Sequence, residues 1–121
     1  MKEEWLNDWK NACGSNVCLP GNTSTSEIID IALRFAKPNE EDELPVLFIF
    51  YVWNFQNYSG FRLNDERYSA FPNECEHLLP EGQQICVEEY EEIEITNYIY
   101  KFDNSDSMTS KIHVFYLFIN F

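Results

Sequence analysis

Trp5, Leu6 and Trp9 recur at helical spacing in an otherwise polar stretch, which predicts a short amphipathic helix within residues 1–12. Gly14, Pro20 and Gly21 punctuate residues 13–22, where a loop is expected. In residues 27–37 the apolar positions Ile28, Ile31, Ala32, Phe35 and Ala36 fall on one helical face. Ser26 suits the N-cap of that helix, Glu27 and Asp30 suit its first turn, and Pro38 stops it. The acidic residues 39–43 form a solvated connection. Residues 46–53 are apolar or aromatic throughout and rich in strand formers, so a central buried strand is expected. Asn57, Ser59 and Gly60 mark residues 54–64 as a loop. Residues 85–87 and 93–95 read as two short strands, with the acidic run 88–92 between them as a solvated edge or turn. Residues 103–110 read as a polar turn and 112–121 as a final apolar strand. One or two helices against many short strands give a β-rich α+β domain.

At 121 residues the chain is read as a single domain, 1–121, with room for only a small core. The net charge of −13, from 8 basic and 21 acidic side chains, opposes binding to a nucleic-acid backbone and suits a basic protein target. Apolar runs are too short to span a bilayer, and residues 1–5 lack the apolar core of a signal peptide. A soluble, cytoplasmic protein is the expectation. Cys13, Cys18, Cys75 and Cys86 lack the spacing of a zinc site. Packed or exposed thiols fit them best, a Cys13–Cys18 bridge requiring an oxidising compartment. No metal ligand set is read from the sequence, and His77 and His113 lack partners at metal or triad spacing.

Two short motifs carry the chemistry. Glu74 and Glu76 flank Cys75, and on an extended segment alternation sends both carboxylates to the same face, roughly 6–7 Å apart. Like charges so placed oppose folding unless solvent, a cation or a reaction makes use of them. The aromatic turn Tyr68-Ser69-Ala70-Phe71-Pro72-Asn73 leads into this pair. The second motif, Ser24-Thr25-Ser26, reads by itself as a hydrogen-bonded junction leading into the helix.

The order of these parts resembles the arginine-specific mono-ADP-ribosyltransferases, whose signature is Arg, then Ser-Thr-Ser, then Glu-x-Glu. The resemblance covers about residues 20–95: Ser24-Thr25-Ser26 and the helix after it, the apolar run beginning at Val46, and the turn from Tyr68 into Glu74-Cys75-Glu76. It implies a mixed-sheet sandwich of the ADP-ribosyltransferase type, with NAD as co-substrate and an arginine-bearing protein as acceptor. Glu76 would stabilise the cationic ribose as the N-glycosidic bond breaks, and Glu74 would hold the acceptor guanidinium. Ser24 would brace the NAD site and bond the catalytic acid, with Thr25 and Ser26 supporting it. Tyr68 or Phe71 would stack on the incoming arginine. The family's arginine precedes Ser-Thr-Ser, whereas the first arginine here is Arg34; Lys2 and Lys10 are the only earlier cations. The chain is therefore expected to match the C-terminal part of such a domain. Two alternatives stay open, a catalytically inactive binding module and an NAD glycohydrolase.

Overall fold

The computed structural model describes residues 1–52, 61–63, 76–96, 98 and 109–119. In chain order the elements are α1 (Glu3–Asn11), β1 (Asn16–Cys18), β2 (Thr23–Ser26), α2 (Ile29–Phe35), β3 (Val46–Val52), β4 (Phe61–Leu63), β5 (Glu76–Leu79), β6 (Gln84–Thr96) and β7 (Thr109–Ile119). They form an α+β fold with a mixed four-stranded sheet, ordered β1-β6-β7-β3, and an antiparallel three-stranded sheet, ordered β2-β5-β4. In the larger sheet β3 runs parallel to β7, and the other pairings are antiparallel.

The strand at the heart of the larger sheet is β7. Ile112, Val114, Phe115, Leu117 and Ile119 are all buried, so apolar residues fill both of its faces. On one face α1 lays Leu6 and Trp9 over the sheet. The Trp9 ring stands 5.0 Å from Phe48 and 6.2 Å from Phe115, and Phe48 stacks on Phe115 at 5.5 Å. This core also takes in Leu19 and Leu79, and Leu79 ties the smaller sheet to it. On the opposite face Ala32 and Leu33 of α2 and its C-cap Ala36 pack on the cluster of Leu47, Tyr98, Ile112 and Val114. The Tyr98 hydroxyl donates to the Leu33 carbonyl at 2.9 Å and holds the helix down.

Several expectations are corrected. The run from Val46 is an edge strand among the described residues, not a central one. Its two apolar faces reflect a helix on each side of the sheet, a condition that an edge position does not relax. The acidic run 88–92 is the middle of a single 13-residue strand, β6, paired to β7 along its length and not a turn. On the other side β1 covers only Gln84–Cys86, so among the described residues the run is a solvated edge. A bulge between Val87 and Glu89 explains why alternation missed it. Val87 is buried and Tyr90, three residues on, packs 5.0 Å from Phe115, so the period of two breaks at Glu88. Beyond the bulge Glu91 accepts a hydrogen bond from the Tyr116 hydroxyl. That bond is the main reason the Tyr116 phenol is pushed up to about 12.

Two segments read as loop contain strands. Asn16–Cys18 pairs with the start of β6, and Phe61–Leu63 pairs with β5. The α2 helix is shorter than expected, and Ser26 lies two residues before the N-cap, Ile28, its hydroxyl accepting from the Ile28 N–H at 3.0 Å. Phe35, expected on the buried face, is exposed. Pro80-Glu81-Gly82-Gln83 makes the turn from β5 to β6. The Gln83 N–H donates to the Pro80 carbonyl, and Gly82 at φ +82° takes the left-handed position such a turn requires.

The core under α1 holds a titratable group. His113 Nδ1 lies 2.6 Å from the Tyr90 hydroxyl and 3.6 Å from Glu92 Oε1. Burial lowers the His113 pKa; Glu92 opposes that, while Lys10 and the N-terminal amine add to it. The neutral imidazole is thus favoured in the fold, and the unfolded chain binds a proton at higher pH than the folded one. This contribution to stability is present above the ordinary histidine value and is lost as pH falls through it. His113→Gln is expected to flatten the decline in urea stability between pH 7.5 and 5.5; an unchanged slope would assign the decline elsewhere.

Candidate functional site

Four of the candidate residues, Ser24, Thr25, Ser26 and Glu76, lie on adjoining strands of the smaller sheet. β5 lies in its middle, between β2 and β4, and the antiparallel register sets Ser26 opposite Glu76, Thr25 opposite His77 and Ser24 opposite Leu78. On the far side Leu63 pairs with Glu76 and Arg62 with His77. Two rows therefore cross the sheet, Ser26–Glu76–Leu63 and Thr25–His77–Arg62. Ser26, not Ser24, is the cross-strand neighbour of Glu76, with Ser24 two positions along the same strand. Glu74, Tyr68 and Phe71 lie outside the described residues, as does Cys75.

Ser-Thr-Ser forms a strand because its hydroxyls find backbone partners that hold the segment extended. Thr25 Oγ1 donates to the His77 carbonyl at 2.9 Å, reinforcing the β2–β5 pairing from a side chain. Ser26 Oγ fixes the exit toward α2 by its bond from Ile28. At the other end Thr23 Oγ1 donates to the Gly21 carbonyl at 3.1 Å, and Asn22 Oδ1 accepts from the Glu81 N–H at 2.9 Å. These four contacts pin both ends of a four-residue strand that carries almost no apolar side chain.

Beside this sheet opens a cavity of about 760 Å³. The whole of β2 and β3 lines it, with Glu27, Phe35, His77 and Leu79. Its volume falls in the range that accommodates a small organic ligand, about 300–1,000 Å³. Hydroxyls gather on the β2 side and aromatic rings on the β3 side. That division suits a ligand with a polar sugar-like part and an aromatic part.

One pair of residues at this cavity escaped sequence reasoning. His77, read as structural or exposed, is half-buried and lines the cavity. Its Nε2 lies 3.5 Å from Glu27 Oε1. The period of two along β5 carries the signal in retrospect, since it sets His77 in the Thr25 row. What sequence alone lacked was the β2–β5 pairing, which brings His77 alongside Glu27 in the turn after β2.

Among the described residues, no group of three or more His, Cys, Asp or Glu side chains is placed to hold a metal ion. None of the described helices is long and apolar enough to cross a membrane. Cys13, Cys18 and Cys86 are free thiols, and burial raises the Cys13 pKa. No family model and no curated protein matches the chain.

Proposed function

We propose that the chain is an ADP-ribosyltransferase-like domain that uses NAD as co-substrate and transfers ADP-ribose to arginine side chains of proteins. The observation carrying this reading is the register that sets Ser26 of the Ser-Thr-Ser strand, which lines a cavity of about 760 Å³, opposite Glu76 on the neighbouring strand. Two motifs fifty residues apart in sequence thus meet on adjoining strands, as a shared NAD site requires.

The chemistry follows from the groups. The bond from ribose C1′ to the nicotinamide nitrogen breaks, its electron pair leaving with neutral nicotinamide. Positive charge develops on the ribose, and the Glu76 carboxylate stabilises it, as a carboxylate does beside an oxocarbenium-like centre in glycoside hydrolysis. A guanidinium nitrogen then bonds to C1′ and sheds its proton. Glu74 orients that planar cation, and Tyr68 or Phe71 stacks on it. Ser24, Thr25 and Ser26 hold the ribose end of the cofactor.

A catalytically inactive binding module of the same kind is the second reading, favoured by one observation. The two cations that precede Ser-Thr-Ser are engaged away from the cavity, Lys2 3.9 Å from Asp42 and Lys10 over the Tyr90 ring at 4.7 Å. Transfer of labelled ADP-ribose to polyarginine separates the two readings. The enzyme reading expects transfer that Glu74→Gln abolishes while NAD hydrolysis persists, because water can replace the guanidinium as nucleophile. No transfer and no hydrolysis by the unaltered chain would leave the inactive module; equal loss of both in Glu74→Gln would contradict the division of roles.

A further inference from the structure

A second pocket, of about 480 Å³, opens on the α1 side of the larger sheet. Its walls are built from α1 and β3. Trp5, Asp8 and Trp9 stand at helical spacing i, i+3 and i+4, which puts all three on one flank of α1. Phe48 and Phe50 face them from β3, and Thr23 closes one side. Trp9 is packed against Phe48, so its ring is held at the pocket wall. Trp5 is 57% exposed, an unusual position for the largest apolar side chain in the chain's first helix.

The charge of this pocket is one-sided. Asp8 is the only acidic or basic side chain among its described lining residues and shares the α1 flank of the two indoles. The N-terminal amine of Met1, also in the lining, is taken up by Glu43 at 3.4 Å and the Leu44 carbonyl at 2.8 Å. Aromatic faces attract cations through the ring quadrupole, indole most strongly. A carboxylate beside them adds a fixed counter-charge. The net charge of −13 raises the local concentration of cations further. A planar guanidinium matches these walls better than an ammonium does, because it is weakly hydrated, stacks on aromatic rings and bonds a carboxylate with two parallel N–H donors.

We propose that this second pocket binds a guanidinium group, with Asp8 as its counter-ion and Trp5 and Trp9 as its aromatic walls. The inference goes beyond the transferase reading and stands without it, since neither NAD nor Glu76 takes part. The guanidinium belongs either to a free small molecule or to an arginine side chain of a peptide, and the pocket chemistry is the same for both.

The test is a titration followed by NMR of the tryptophan indole N–H resonances in the full chain, with no NAD present. Three compounds serve: ethylguanidinium, a blocked arginine dipeptide, and ethylurea as the neutral planar analogue. The expected result is saturable shifts of the Trp5 and Trp9 signals with both guanidinium compounds, at least ten-fold weaker with ethylurea. Tighter binding of the dipeptide assigns the ligand to a peptide side chain, and equal or weaker binding to a free molecule. Asp8→Asn, at an exposed helix position, is expected to weaken guanidinium binding about ten-fold with the fold unchanged. Equal shifts from ethylurea, or undiminished binding by Asp8→Asn, overturns the proposal. Transfer activity is not read in this experiment, so loss of the transferase reading leaves its outcome intact.

Discussion

Replacing Phe115 by alanine is expected to remove about half or more of the protein's stability at room temperature. The side chain is fully buried at the middle of β7, and three rings touch it: Trp9 from α1, Phe48 from β3 and Tyr90 from β6. Removing it empties the point where three elements meet, and the rigid strands on either side collapse little. Phe→Ala substitutions in such settings cost about 3–5 kcal/mol, against a total stability of about 5–15 kcal/mol for a domain. A chain of this size sits toward the lower end of that range. Urea titration followed by tryptophan fluorescence reads the effect, because Trp9 lies in the affected cluster. A loss below 1 kcal/mol would mean that α1 does not pack on the sheet as described. Phe48→Leu, at the partly buried rim, serves as the milder companion and is expected to lose less.

The second large effect concerns chemistry. Glu76→Gln keeps size and hydrogen-bonding capacity but removes the negative charge from the row Ser26–Glu76–Leu63. Under the transferase reading both ADP-ribose transfer and NAD hydrolysis fall on the order of 10²–10³-fold, the usual loss when an electrostatic stabiliser of a transition state is removed. Because β5 is paired on both sides through its backbone, the sheet is expected to survive the change, and the melting temperature should stay near that of the unaltered chain. Activity unchanged in Glu76→Gln would remove Glu76 from the reaction. Ser26→Ala provides a graded comparison, since Ser26 rather than Ser24 is opposite Glu76. A loss larger for Ser26→Ala than for Ser24→Ala is the expected order.

Local pattern made the helices and the apolar strands legible. Trp5, Leu6 and Trp9 at helical spacing gave α1, and the runs from Val46 and from Ile112 gave β3 and β7. The order of strands was not legible, because an apolar run records what covers its faces and says nothing about its neighbours along the sheet. That is why β3 is expected at the centre and lies, among the described residues, at the edge. The acidic stretch of β6 was hidden by a bulge at Glu88 that shifts the alternation by one residue. Asn16–Cys18 and Phe61–Leu63 were hidden for another reason: three-residue strands have too few positions to show a period.

For the candidate site, sequence supplied the parts and not the pairing. Ser24-Thr25-Ser26 and Glu76 stood out by their order, yet which serine opposes the acid depends on a register set fifty residues away. A slip by two would have put Ser24 there without altering any local signal. His77 was passed over for the same reason, as its approach to Glu27 arises from the turn between β2 and α2.

Calorimetric titration of the full chain with NAD tests the central claim most directly, because every role assigned to Glu76 and Ser26 requires the cofactor in the cavity that Ser26 lines. Saturable binding between about 1 μM and 1 mM, the ordinary range for an enzyme's substrates, is the predicted result. It should weaken in Ser26→Ala and persist in Asp8→Asn, since Asp8 does not line the cavity that holds Ser26. Heat that fails to saturate at millimolar NAD would contradict the account.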